Sequence, residues 1–168
     1  MYKELIGALL AVLLCVFASI AVKKWRYKKY AILLMSIIYL AGLLYFTMIR
    51  GRNAELGGVK LGISFTIYKA IKARHYGLST NRSVLNILLF VPAGLLLPQV
   101  SAYLLRIKTK FRFTNILKFA AISLLISLII EGSQLAFRLG VFEVDDLIKN
   151  TLGGVIGYII WTVIDHLE

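Results

Sequence analysis

The chain is poor in cysteine, histidine, proline and acid: among 168 residues it has one Cys, two His, two Pro and eight Asp or Glu. A lone Cys15 excludes a disulfide framework within the chain and a cysteine-based zinc site. His75 and His166 stand far apart with no HExxH-type spacing around them, so the sequence offers no metal site and no cofactor motif. Charged residues of either sign make up only 17% of the chain, against 60% hydrophobic residues and a mean hydropathy of +0.82. A soluble domain of this length could not hide so much apolar surface in a single core.

What is present in abundance is long apolar sequence. Five runs, residues 5–22, 30–49, 84–105, 116–139 and 147–164, are each long enough at about 1.5 Å per residue to cross a hydrocarbon core of roughly 30 Å. They are continuous rather than alternating, which disfavours a membrane barrel. The expected fold is all-α, a polytopic transmembrane helical bundle of about five spans. No repeat, linker or low-complexity tract divides it, so residues 1–168 read as one integral membrane domain. Ser19-Ile20-Ala21 is a weak cleavage-like site, but the basic KKWRYKK that follows opposes translocation, and the first run reads as an uncleaved anchor.

Lys and Arg outnumber acids to give a formal charge of +12. In a soluble protein that balance would suggest nucleic acid. Here most bases flank apolar runs, where they meet lipid headgroups, so the partner implied is the bilayer and not nucleic acid. The loops KKWRYKK at 23–29 and RIKTKFRFTNILK at 106–118 each hold five bases and no acid. Both are expected in the cytoplasm, which puts the N-terminus outside and the C-terminus inside a cell membrane. Glu4, Glu55, Glu143, Asp145 and Asp146 then all lie on the outer side, together with the seven bases of the 50–83 loop.

That loop contains VKLGISFTIY at 59–68, whose strict alternation predicts an extended segment lying on the bilayer or over the mouth of the bundle. YKAIKARHYG after it suits a short helix ended by Gly77, and Ser79, Thr80 and Asn81 offer caps for the third span.

The polar residues inside the apolar runs carry the functional signal. Glu131 is the only charge in the 19 residues between Lys118 and Arg138, and a carboxylate at such depth costs a few kcal/mol, on the order of insertion scales, unless it is sheltered. Gln134 and Arg138 follow at spacings of three and seven and share its helical face, with Arg50 and Arg82 as further possible partners. A structural contact with a neighbouring helix would also explain Glu131. Gly140 is the expected terminator of this helix. Asp145 suits the cap of the fifth helix and Asp146 its first turn.

Asp146, Asn150, Gly153 and Gly157 recur at four, three and four on the fifth span, and GGVIG at 153–157 is a GxxxG pattern that admits a close neighbour. In the third span Asn86 sits near the outer end, with Pro92, Gly94 and Pro98 deeper. Proline there bends the helix and opens a cavity. Asn86, Glu131, Gln134, Arg138, Asp145, Asp146 and Asn150 are therefore the candidate ligand-binding residues of one outward-facing polar pocket. Pro92, Gly94, Gly153, Gly154 and Gly157 are the candidate helix-packing residues.

Three blocks carry a resemblance: Asn86-Ile-Leu-Leu-Phe90-Val-Pro92-x-Gly94 with Leu97-Pro98, Glu131-x-x-Gln134, and Asp145-Asp146-x-x-x-Asn150-Thr-x-Gly153-Gly154-x-x-Gly157. Together they resemble the VanZ-like family of bacterial multipass membrane proteins. Upstream, Phe65 fits a family element in which Ser64 stands in place of proline. The resemblance implies a cell-membrane protein of a family named for resistance to the glycopeptide antibiotic teicoplanin, an acylated molecule that acts on cell-wall precursors at the outer face.

Three classes of function remain open on the sequence. One is binding of a lipid-linked or amphiphilic cell-envelope ligand, with Arg138 attracting phosphate or carboxylate and Asn86 and Asn150 bonding a head group. The second is an enzyme acting on a lipid or polyprenyl head group, with Glu131 as general acid or base and Asp146 orienting the substrate or holding a cation. The third is a small proton-coupled transporter, for which a homo-oligomer would supply the missing spans.

Overall fold

The computed structural model describes residues 2–22, 26–50, 58–60, 78–103 and 113–166. Helix α1 is Tyr2–Val22 and α2 is Lys28–Leu44, which continues into a π-helical turn, Tyr45–Arg50. A short strand β1, Gly58–Lys60, precedes α3, Leu78–Tyr103, and α4, Phe113–Ala136. Strand β2, Val141–Glu143, leads directly into α5, Val144–His166. All five helices are long and apolar enough to cross a membrane, as the runs predict. The expected helix near Gly77 and residues 61–68 of the alternating segment lie outside the described residues.

Burial is uneven and defines the architecture. Helix α3 buries 56% of its spanning window and α2 only 11%, so α3 is the axis of the bundle. On α1 and α2, Leu10, Phe17, Leu34 and Ile38 are exposed, as expected of side chains that face lipid rather than protein. Hydroxyls within the spans turn back onto their own helices: Ser19 donates to the Cys15 carbonyl at 2.7 Å and Ser36 to that of Ile32 at 2.8 Å. Such bonds let a polar side chain sit in hydrocarbon without an unsatisfied donor. Gln99 on α3 donates to Ser19 Oγ at 2.9 Å and so ties α3 to α1.

Glycine sets the contact between α3 and α5. A methyl group on Gly153 would collide with the Ile87 carbonyl, one on Gly157 with the Val91 carbonyl, and one on Gly94 with the Gly154 carbonyl. Gly154 faces the other way, against the Ser123 side chain of α4. The two adjacent glycines thus let α5 approach α3 and α4 at once, which a single GxxxG face does not require. Below this contact Phe119 stacks on Tyr158 with ring centroids 4.6 Å apart, and Leu95, Trp161 and Ile164 complete a buried cluster.

Pro92 and Pro98 both lie inside α3, which runs uninterrupted past them. Proline at 92 removes the amide that would bond the Leu88 carbonyl and crowds the turn before it. Tyr39 of α2 enters at this level: its hydroxyl donates to the Leu89 carbonyl at 3.0 Å and accepts from the Ala93 amide. The side chain from α2 thus bonds the backbone of α3 within one residue of the carbonyl that Pro92 leaves without its amide partner.

Three local expectations are corrected. Helix α4 stops at Ala136, and the left-handed residue beyond it is Arg138 at φ 54°, not Gly140. The Leu139 amide bonds the Gln134 carbonyl at 2.8 Å and the Arg138 amide the Leu135 carbonyl at 3.2 Å, so a Schellman closure satisfies the helix end two residues earlier than glycine would have. Asp145 is inside the first turn of α5 rather than capping it, because α5 begins at Val144 straight from β2. Ser79, Thr80 and Asn81 likewise fall within α3, which starts at Leu78, and do not precede it.

β1 and β2 pair in parallel, with Gly58 opposite Val141, Val59 opposite Phe142 and Lys60 opposite Glu143. The start of the alternating segment is thereby laid across the connection between α4 and α5, one of the two positions expected for it.

Gly94→Val places two methyl groups against the α5 backbone and should lower the unfolding midpoint in detergent, the cost being about 1–3 kcal/mol or more for overpacking. Gly7→Ala, where an added methyl meets nothing within 4 Å, should leave it unchanged or raise it. Tyr39→Phe should cost about 1 kcal/mol in the same measurement, by removing the bond to Leu89.

Candidate functional site

Helix α4 presents a polar stripe at four-residue spacing, Ser123, Ser127 and Glu131, all buried. The stripe faces α5. Asn150 of α5 donates its amide to Ser127 Oγ at 2.8 Å, one turn below Glu131. Glu131 is 4% exposed, and its Oε2 accepts the backbone amide of Glu143 at 3.2 Å. Strand β2 thus hands a main-chain donor to the acid that α4 buries. A main-chain hydrogen bond of this kind contributes about 0.5–1.5 kcal/mol toward the cost of holding a carboxyl group at membrane depth.

Asp146 completes the cluster from the first turn of α5. Its carboxyl accepts a hydrogen bond from the Asn86 side chain of α3 and lies near Glu131 and Glu143. Lys149 Nζ bridges the two aspartates, at 2.8 Å from Asp145 Oδ2 and 3.3 Å from Asp146 Oδ1. The ammonium is mostly enclosed, with 12% of its side chain exposed. It offsets repulsion between acids that the first turn of a helix would otherwise draw together through its dipole alone.

Of the predicted residues, Asn86 and Asp146 pair, Glu131 lies close enough to Asp146 for their charges to interact, Asn150 bonds Ser127 one turn below Glu131, and Lys149 joins Asp145 to Asp146. Gln134 turns aside: its Nε2 donates to the Thr47 carbonyl of the π-helical turn at 2.9 Å and links α4 to α2. Arg138 is the correction. It lies past the end of α4, exposed on the turn, so it does not continue the Glu131–Gln134 face, whose register ends with the helix. Of Arg50 and Arg82, the other candidate partners of Glu131, the side chains lie outside the described residues.

An open groove of about 470 Å³ runs between α1, α2 and α3 beside Pro92, and its walls are almost wholly apolar. The polar side chains instead form a bonded cluster on the opposite side of α3. Pro92, expected to open the polar pocket, instead lines this apolar groove.

Lys149, Ser127 and Ser123 were missed as site residues. Their signals were in the sequence: Ser123, Ser127 and Glu131 repeat at four, and Lys149 follows Asp145 by four and Asp146 by three. The Ser123 hydroxyl is fully buried without a hydrogen-bond partner among the described residues, held against Gly154. Among the described residues no group of three or more His, Cys, Asp and Glu is arranged to hold a metal ion. The chemistry on offer is hydrogen bonding by carboxyl, amide and ammonium groups at the rim of a helical bundle.

No curated protein and no solved structure matches the chain. The family model described as VanZ/LLP1 matches residues 29–165, which run from the start of α2 to the end of α5 and include Asn86, Glu131, Asp146 and Asn150. With its five membrane-length helices and the three sequence blocks gathered at one end of α3, α4 and α5, the chain belongs to the VanZ/LLP1 family.

Proposed function

We propose that the cluster at the shared end of α3, α4 and α5 binds the head group of an amphiphilic, lipid-linked ligand of the cell envelope, at the outer face of the membrane. The observation that carries this reading is the gathering of Asn86, Asp146 and the buried Glu131 at one end of three different helices, Asn86 bonded to Asp146 and Asp146 near Glu131, carboxyl and amide groups that packing alone does not need. Buried polar groups at membrane depth are costly and mark sites by default. Asn150 and Lys149 brace the cluster from within, through Ser127 and through the two aspartates. Arg138, exposed on the turn after α4, stands at the rim, where it meets a phosphate or carboxylate from the water side.

The outward orientation follows from the basic loops at 23–29 and 106–118, which favour the cytoplasm. Acylated glycopeptides of the teicoplanin type have the required chemistry, a hydrocarbon chain joined to a polar body at the outer face. In this reading, reduced susceptibility to them arises from capture at the membrane rather than from any reaction.

Two measurements test it. A single cysteine introduced as Glu143→Cys in a Cys15→Ala background should react with a membrane-impermeant maleimide on intact cells; protection until the cells are opened would put the site in the cytoplasm and end the reading. Teicoplanin should bind the purified full-length protein in lipid nanodiscs, and Arg138→Ala and Glu131→Gln should each weaken binding about tenfold, or about 1.4 kcal/mol, with unchanged unfolding midpoints. Binding that is absent in the unsubstituted protein, or indifferent to both changes, would refute it.

A further inference from the structure

Among the described residues Arg138 is the one residue other than glycine with a left-handed backbone, at φ 54°. An L side chain in that conformation crowds the carbonyl that follows, which disfavours it roughly five- to thirtyfold. Glycine escapes this penalty and is the common residue where a helix closes as α4 does. The end of α4 returns only part of the cost, because a cation beside a helix C-terminus gains roughly two- to fivefold from the dipole. The residue is therefore held at a net loss as far as its own helix is concerned.

The rest of the molecule does not make up the difference. Glu131, Glu143, Asp145 and Asp146 all lie close in sequence, yet Arg138 forms an ion pair with none of them among the described residues. Glu131 takes the Glu143 amide instead, and Lys149 bridges the two aspartates. The Arg138 side chain is exposed, and so is Phe137 before it, at 72%. Leu139 is half-buried and Gly140 buried, so the turn projects one ring and one guanidinium side by side. A backbone outlier whose side chain serves nothing inside the chain points to a partner outside it.

The level of the pair identifies that partner. The spanning run of α4 ends at Ala136, so Phe137 and Arg138 stand where hydrocarbon gives way to head groups. Aromatic rings collect at this boundary, and a long basic side chain reaches from it into the phosphate layer. A guanidinium offers phosphate oxygens two parallel N–H donors, a match that an ammonium cannot make. We propose that Arg138, with Phe137 anchoring the turn on the hydrocarbon side, is a binding site for the phosphodiester of an anionic membrane lipid. The contact would fix the turn three residues before β2, the strand whose Glu143 amide covers Glu131. This goes beyond the envelope-ligand reading and does not rest on it, since it needs only a chain that spans a bilayer.

The test has two parts, both on the full chain. In phosphate-free maltoside micelles Arg138→Gly should raise the unfolding midpoint, by about 2–4 °C for a chain of this size. A lower midpoint would show that the side chain has a structural partner within the protein and would overturn the inference. In nanodiscs of phosphatidylcholine and phosphatidylglycerol, a phosphatidylglycerol with a diazirine on its head group should crosslink Phe137 and Leu139, mapped by peptide mass spectrometry. Arg138→Gly should reduce those crosslinks about fivefold. Arg138→Lys should restore most of them, and crosslinks at exposed Tyr27 and Tyr30, beside the other basic segment, should not change. Crosslinks that persist in Arg138→Gly, or that form equally with a galactolipid probe of the same acyl chains, would refute a phosphodiester site. Displacement of the probe by inorganic phosphate would make it a site for a free anion and refute the lipid. Arg138→Gly protein that binds teicoplanin normally but loses the lipid crosslinks would leave this inference standing and remove Arg138 from the envelope-ligand reading. The reverse pattern, lost teicoplanin binding with crosslinks intact, would sink this inference alone.

Discussion

Backbone-to-backbone approach between α3 and α5 is the constraint on which the rest of the molecule depends. Lipid is as apolar as leucine, so the hydrophobic effect gives spanning helices little reason to associate, and close packing has to supply it. Gly94, Gly153 and Gly157 remove the side chains that would hold the two helices apart, and Gly154 does the same toward Ser123 of α4. Once that distance is set, the depth of each polar group follows from helical rise. Gly153 meets Ile87 and Gly157 meets Val91, so α3 and α5 run parallel, and Asn86 and Asp146, both on the N-terminal side of these contacts, arrive at the same end.

Two kinds of interior result from one axis. On the α4–α5 side of α3, polar atoms are matched almost pair by pair: Asn150 with Ser127, Asn86 with Asp146, Lys149 with both aspartates, and the Glu143 amide with Glu131. On the α1–α2 side the walls are small and apolar, and the one hydroxyl is spent on the proline-disturbed backbone of α3. A polar face and an apolar face thus lie back to back across a single helix. Helix α3 is well suited to divide them, since it is apolar on nearly every side and Asn86 marks the level at which polarity begins.

The short parallel pair of β1 and β2 gives the polar end its lid-side donor. Without β2 the chain between Ala136 and Val144 would have no reason to aim the Glu143 amide at Glu131. The left-handed turn at Arg138 makes that path possible by stopping α4 early and reversing the chain within a few residues. A residue expected to extend a helical stripe is thus the one that ends it.

How far the sequence could be read follows from which quantities are local. The number of spans, their limits to within a few residues, and the level of each acid along its helix depend on bilayer thickness and on a rise of about 1.5 Å per residue, and these were legible from the apolar runs between residues 5 and 164. So was the packing role of Gly153 and Gly157, because small residues four apart have little other use in lipid. The fate of Arg138, the bridge made by Lys149, the turning of Gln134 toward Thr47, and the apolar rather than polar lining beside Pro92 were not legible. Each depends on which neighbour arrives at a given face, and side chains far apart in sequence decide that only when the helices have packed.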